Sequence, residues 1–558
     1  MRLTILLLFL TTTLLAQRNF YQNEAYPFSR ADTLRGQLRP ERTGFDVHFY
    51  ELDIAVDPAT KMIRGFVDVH YRVDEPTEQL QLDLYENMTI DRIEMAGKEL
   101  PFRRDFNAVF IEVPSAEKNS LHTLRVHYHG QPVTARRAPW DGGFVWSSDS
   151  EGTPWVGVAC EGDGASLWWP NKDHLSDEPD SMAIRIAVPK DLMCVANGNL
   201  RDTRRMGDLT RYDWFVTYPI DNYNVTVNIG DYVHFGETYI NAEGQPLELD
   251  YYVLRENEAV AREHFKQVPG VLECFEEKFG PYPFYEDGFA LVETPYLGME
   301  HQGAIAYGNK YLRGYLGGMI PEDMDWDYII VHETGHEWFG NSISVPDMSE
   351  MWVQESFTTY SEAVYVECHY GYERAVEYLN SQLPMVRNQE PILGPMQVNF
   401  DDWRSSDHYY KGAWVIHTFR HALGDDELFW DILKNFHEEH KRSIVGTQDW
   451  IDYVNRRTEH DWSSFFEQYL WHPNLPKLLY RVEEILNEEN KMPTLKVRLR
   501  FNADVRNFEI PLIVGTPGNY QRVEVSNMKT ATIELPGMTA GEFRVATELF
   551  LVDAELVE

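Results

Sequence analysis

From about residue 42 to 240, apolar and polar positions alternate along the chain. Val47-His48-Phe49-Tyr50-Glu51-Leu52-Asp53-Ile54 and Gly65-Phe66-Val67-Asp68-Val69-His70-Tyr71 change side at almost every residue and are rich in β-branched and aromatic side chains. A period of two puts successive side chains on opposite faces, so these runs predict strands with one face in a core. Asp57-Pro58 and Asn197-Gly198 punctuate them as turns. Near residue 256 the period lengthens. The stretch 258–279 reads as an amphipathic helix stopped at Gly280-Pro281. A second helix is expected from near Pro321, a residue suited to a first turn, to Gly340. A third is expected over 349–370, with Trp352, Tyr360, Val364 and Cys368 on one face and Gly371 as its stop. Helical spacing continues over 414–423, 426–439 and 447–457, and after Pro473-Asn474-Leu475-Pro476 short alternating runs return at 494–501 and 508–514. The chain has no internal repeat and no low-complexity tract.

These elements predict a multidomain α+β protein. An N-terminal β domain of sandwich or saddle-like form covers 42–250, a mainly helical domain 251–472, and a small C-terminal β-sandwich 473–558. Residues 1–16 resemble a secretory signal peptide: Arg2, an apolar run from Leu3 to Leu15, and Ala16 as a small residue before a cut at Gln17. Leu14 departs from the small-residue rule, which leaves a retained anchor as the alternative. Residues 17–41 form an N-terminal extension, and no later run is long and apolar enough to span a bilayer. The expected product is exported, periplasmic or extracellular, with no membrane span in the mature chain.

Composition narrows the partners. At 558 residues, with 15 Trp, 31 Tyr and 29 Phe, the chain has material for several cores. Its net charge of −39 argues against nucleic acid and anionic membranes. Cys160, Cys194, Cys274 and Cys368 are scattered, so at most one disulfide is expected, with no basis for choosing the pair. Oligomeric state is not legible.

The chemistry concentrates in His332-Glu333-Thr334-Gly335-His336. Residues four apart share a helix face, so both imidazoles can address one point. Eighteen residues separate His336 from Glu355, which supplies a carboxylate from the next helix. Two histidines and a carboxylate leave one position open on a catalytic zinc, one ion per chain. Glu333 stands beside the metal, placed to take a proton from the water that zinc activates. The apolar run Ile329-Ile330-Val331 puts this helix in a core, where metal-free histidines would be costly. His437-Glu438-Glu439-His440 has the wrong spacing and no acidic partner, and reads as a solvated helix face.

The flanks carry a resemblance to a known family. The pattern of HExxH, eighteen residues and Glu, with His336-Glu337-Trp338-Phe339-Gly340-Asn341 and Trp352-Val353-Gln354-Glu355-Ser356-Phe357, resembles the gluzincin metallo-aminopeptidases, the family of alanyl aminopeptidase and leukotriene hydrolase. Leu297-Gly298-Met299-Glu300-His301 is similar to that family's G-A-M-E-N, and Tyr409-Tyr410-Lys411-Gly412 to its Y-x-K-G. The resemblance implies a thermolysin-like catalytic domain, binding of the substrate's free α-amine by Glu300, a substrate pocket edged by Gly298 and Met299, and an oxyanion donor at Tyr409. Cys160-Glu161-Gly162-Asp163-Gly164 resembles the segment holding a second amine-binding acid, here Glu161. His301, Leu297-Gly298, Ser356 and Gln354 depart from the family pattern, and the chain resembles a short member without the C-terminal helical domain.

The implied activity is zinc-dependent removal of N-terminal residues from peptides with a free N-terminus. Two carboxylates at the end of a cleft favour a cationic amine over an internal amide, since burying them without a cation is expensive. The alternatives are a zinc endopeptidase with an open cleft and a non-catalytic binding protein on the same scaffold; an epoxide hydrolase finds no support in the residues.

Overall fold

A five-stranded sheet joins the two main cores of the molecule, one on each of its faces. The computed structural model describes residues 28–486 and 492–557, so the leader expected at 1–16 lies outside the described residues. The sheet runs in the order Tyr232–Ile240, Pro246–Leu254, Phe289–Glu293, Ile305–Tyr307, Gly298–Met299. Alternation divides its side chains between two cores. Leu249, Tyr251, Val253, Leu291 and Ile305 join the core built by the helices and the C-terminal strands. Tyr252, Leu254, Val292, Met299 and Ala306 join the core of the N-terminal β domain. The strands at 232–254 therefore belong to this shared sheet, and the boundary expected at 250/251 falls inside the strand Pro246–Leu254.

The N-terminal domain is built on an eight-stranded sheet in which Phe45–Asp57 pairs antiparallel with Met62–Val73 and parallel with Ser181–Pro189. A four-stranded sheet packs with it, and the strand Pro154–Ala159 of that sheet delivers the chain to Glu161. At the C-terminus, a four-stranded and a three-stranded sheet pair Lys477–Leu486 with Pro493–Asn502 and Glu509–Thr516 with Asn519–Ser526. The architecture is multidomain α+β, as the periodicity predicts.

Helix boundaries differ from the sequence expectation where local chemistry intervenes. The stretch 258–279 is two helices, Glu258–His264 and Val268–Phe279, joined by a 3-10 turn ahead of Pro269, which has no N–H to donate. The motif helix begins at Tyr328 instead of near Pro321 and ends at His336. Its start is set by Asp327, whose carboxylate accepts from the N–H groups of Ile329 and Ile330 at 2.9 and 3.2 Å. The following helix spans Trp352–Tyr370, and a 3-10 turn at Met348–Glu350 occupies the start expected at 349. Cys274 and Cys368 form a disulfide that ties Val268–Phe279 to Trp352–Tyr370. No helix among the described residues is long and apolar enough to cross a membrane.

Asp327 also accepts from the Tyr307 hydroxyl at 2.8 Å and pairs with His264 at 2.7 Å, so one buried carboxylate joins the motif helix to the central sheet. Asp327→Ala removes the cap and leaves buried donors unpaired. It is expected to lower stability by about 2–3 kcal/mol. Urea unfolding followed by circular dichroism checks this; an unchanged midpoint would contradict the assigned role of the cap.

Candidate metal centre

His332 and His336 lie one turn apart on the buried helix Tyr328–His336, and Glu355 reaches them from the first turn of Trp352–Tyr370. The two Nε2 atoms are 3.3 Å apart, and Glu355 Oε2 lies 3.7 Å from His332 Nε2 and 3.6 Å from His336 Nε2. A tetrahedral zinc with ligands at about 2.0–2.1 Å separates its ligand atoms by roughly 3.3 Å, so the triangle fits that ion. Glu355 Oε2 is fully buried with no hydrogen-bond partner among the described residues, an orphan that a cation would satisfy. The donor set and this orphaned atom both fit a divalent metal.

The remaining ring nitrogens are committed elsewhere, which fixes each tautomer. His332 Nδ1 donates to Glu362 Oε1 at 2.7 Å, and His336 Nδ1 donates to the carbonyl of Phe339 at 3.0 Å. Glu362 also accepts from the Tyr378 hydroxyl and the Gln382 amide. Burial alone would lower the basicity of both imidazoles, but Glu355 raises it, with Glu362 adding at His332 and Glu300 at His336. Burial works against Glu355 as an anion; His336 and His332 outweigh it and hold the carboxyl below the usual range. The raised basicity of the two imidazoles reflects the carboxylates gathered round them, the charge a dication would meet.

Glu333 points beside the triangle. Burial pushes its carboxyl up to about 8, with Glu300 and Glu355 adding to the push and the two imidazoles opposing it. Gly298 lies against it: a Cβ at that position would come within 2.6 Å of Glu333 Oε1. Gly298 and Met299 form the edge strand of the central sheet and pair only with Ile305–Tyr307. Oxygens of Glu161, Glu300 and Glu355 lie within 4.8 Å of one another, so the β domain and the sheet each place an acid beside the trio. Tyr409 caps the helix Tyr410–Leu423, and its ring lies 6.3 Å from that of His332 and nearly parallel to it. A cavity of about 610 Å³ opens onto this centre, bounded further out by Trp140, Met319, Met385 and Trp403.

All nine residues singled out from the sequence are therefore brought together at this one site. His437 is a correction: it is buried and bonds Ser342 Oγ at 3.0 Å, so of the segment expected to be a solvated face only Glu439 is exposed, with Glu438 and His440 half-buried. Glu362 is a functional residue that the sequence motifs do not flag, although its position seven residues after Glu355, two turns along one helix, is a usable signal.

Comparison with known proteins agrees with this geometry. The profile described as the Peptidase family M1 domain matches residues 263–469, the stretch that contains the trio and Tyr409. Residues 263–469 form a peptidase family M1 domain. Probable aminopeptidase 2 of Sulfurisphaera tokodaii is 22% identical over 401 residues, covering 68% of this chain and 48% of that protein. Aminopeptidase N of Escherichia coli is 23% identical over 323 residues, covering 55% of this chain and 36% of that protein. The matched region thus spans less than half the length of these curated relatives. Among solved structures, a variant M1 zinc metallopeptidase of Deinococcus radiodurans bound to a Tyr-Ser-Ala substrate superposes with a TM-score of 0.63 at 19% identity, covering 76% of this chain and 94% of that one. A two-domain M1 zinc metallopeptidase variant bound to L-tryptophan gives 0.60 at 20% identity, covering 76% and 92%. At these identities the likeness shows a shared fold.

The Glu362 carboxylate raises the basicity of the His332 imidazole. Glu362→Gln keeps the shape and removes the charge, and is expected to weaken metal affinity by about tenfold or more. Chelator competition measures this, and an unchanged affinity would show that the charge is not felt at the metal.

Proposed function

We propose that this chain is an exported zinc aminopeptidase that hydrolyses the first peptide bond of substrates with a free N-terminus. The observation that carries the reading is the placement of Glu161 and Glu300 beside the His332–His336–Glu355 trio. A metal centre alone suits any peptide hydrolase, whereas a half-buried and a buried acid together at one end suit a cationic amine.

Zinc held by His332, His336 and Glu355 supplies Lewis acidity toward the scissile carbonyl and lowers the pKa of a water to about 7. Glu333 accepts a proton from the attacking water and returns it to the leaving amine. The Tyr409 phenol, kept protonated by burial and by the nearby carboxylates, donates to the developing oxyanion. Glu161 and Glu300 hold the substrate ammonium. Met299 and Gly298, on the edge strand, offer backbone groups to an extended peptide.

The Cys274–Cys368 disulfide supports the proposed export, since such bonds persist in oxidising compartments. The acidic balance of −39 suits peptide substrates and gives no footing for nucleic acid.

Amino-acyl anilides are expected to be hydrolysed, and their N-acetylated forms to resist. Equal cleavage of both would favour an endopeptidase and defeat the aminopeptidase reading. Glu333→Ala should lose activity by at least about a hundredfold while retaining one zinc, measured by metal analysis beside the anilide assay. No hydrolysis by zinc-loaded wild-type protein would leave only a binding role.

A further inference from the structure

The acid that reads the substrate amine is itself held by the N-terminal β domain. The Tyr223 hydroxyl donates to Glu300 Oε1 at 2.9 Å. Both side chains are buried, at 4% and 3% exposure, so water offers the carboxylate little competing contact from that side. Tyr223 sits on the 3-10 turn Asn222–Asn224 that follows the eight-stranded sheet. Burial, followed by Glu300, Asp221 and Glu161, holds the phenol in its protonated, donating form.

The same turn also fixes the backbone of Glu300. Asn224 Nδ2 donates to Asn341 Oδ1 at 2.8 Å, and Asn341 Nδ2 donates to the Glu300 carbonyl at 2.8 Å. Asn197 Nδ2 donates to the carbonyls of Asn224 and Gln302, each at 2.9 Å, tying the turn to the segment just beyond Glu300. Asn341 follows the motif helix, so this clasp joins the β domain, the amine-reading strand and the metal helix.

Such a clasp has a specific task here. One Glu300 oxygen lies within 4.8 Å of ligand atoms of Glu333 and His336, a grouping that could itself hold a metal. A glutamate has three rotatable side-chain bonds, and a free carboxylate at this spot would be drawn toward the bound dication. The charge-assisted bond from the phenol opposes that swing.

We propose that Tyr223 is a positioning residue that keeps the Glu300 carboxylate off the metal and directed at the substrate amine. This rests on the aminopeptidase reading above. It adds a determinant of amine recognition from outside the M1 domain, supplied by a residue seventy-seven positions before Glu300.

The test compares an amino-acyl hydroxamate with its desamino counterpart, since both can bind the metal and only the first carries the amine. Zinc-loaded wild-type protein should bind the amine-bearing probe more tightly. Tyr223→Phe should reduce that preference by roughly tenfold or more, the loss typical of a hydrogen bond to a charged group. Inhibition by the desamino probe should stay within about twofold, as should the zinc content, and KM for anilides should rise more than kcat falls. In a Glu300→Ala background, Tyr223→Phe should produce no further loss of preference. Equal weakening of both probes would assign Tyr223 a merely structural role and overturn the proposal, as would a preference that survives Tyr223→Phe. If the Phe variant failed to fold, Asn341→Ser, which frees the Glu300 carbonyl from the same clasp, would supply the same ratio: a reduced preference supports the proposal and an unchanged one overturns it. A wild-type protein without any preference would defeat the aminopeptidase reading itself.

Discussion

The site depends on an unbalanced gathering of buried negative charge. Glu300, Glu333, Glu355 and Glu362 are all buried, Glu161 joins them from across the cavity, and the nearest basic groups are two imidazoles. Isolated carboxylates in a low-dielectric interior are strongly destabilising. Each one here is met by a different answer. Glu362 is neutralised locally by His332, Tyr378 and Gln382. Glu355 faces the two histidines and keeps one oxygen without a protein partner among the described residues. Glu300 is bonded by Tyr223, while Glu161 Oε1 has no partner among the described residues. A dication at the trio and an ammonium between Glu161 and Glu300 would balance the whole arrangement.

The central sheet makes this gathering geometrically available. Because its two faces contribute to different cores, the helical core and the β-domain core share one wall. The edge strand Gly298–Met299 lies on that wall and delivers Glu300 to the junction, with the metal helix on one side and the Glu161 loop on the other. Asp327 holds the metal helix to the sheet, and the Asn222–Asn224 turn holds the far side. The positions of Glu300 and of the His332–His336–Glu355 trio are therefore held by bonds that reach into both cores.

What the sequence discloses follows from how local each signal is. His332 and His336 are readable because helical periodicity fixes their shared face without help from distant residues. Glu355 is readable because a helix carrying it follows at a short interval. The strands of the β domain are readable because one buried face imposes alternation. The start of the motif helix is not, because Pro321 is a permissive signal, whereas Asp327 acts through N–H groups that only its rotamer reveals. Strand Pro246–Leu254 straddles the expected domain boundary because both faces of its second half, Tyr251 to Leu254, are buried, which erases the cue for which core it serves. His437 misleads because its helix has a polar appearance, while Ser342 lies ninety-five positions earlier in the chain. Tyr223 has no local signal, since its partner is seventy-seven residues away.

The departures from the family pattern resolve into packing. Ser356 stands where the resemblance leads one to expect glycine, and its hydroxyl donates to the His408 carbonyl at 2.7 Å, just before Tyr409. Gly412 makes room for it, since a Cβ there would come within 1.6 Å of Ser356 Oγ. The serine therefore tethers the loop that carries Tyr409 to the helix that carries Glu355. His301, beside Glu300, adds no charge to the amine site. Burial pushes its pKa down to about 3, and both ring nitrogens lie without partners among the described residues, so it remains a neutral filler.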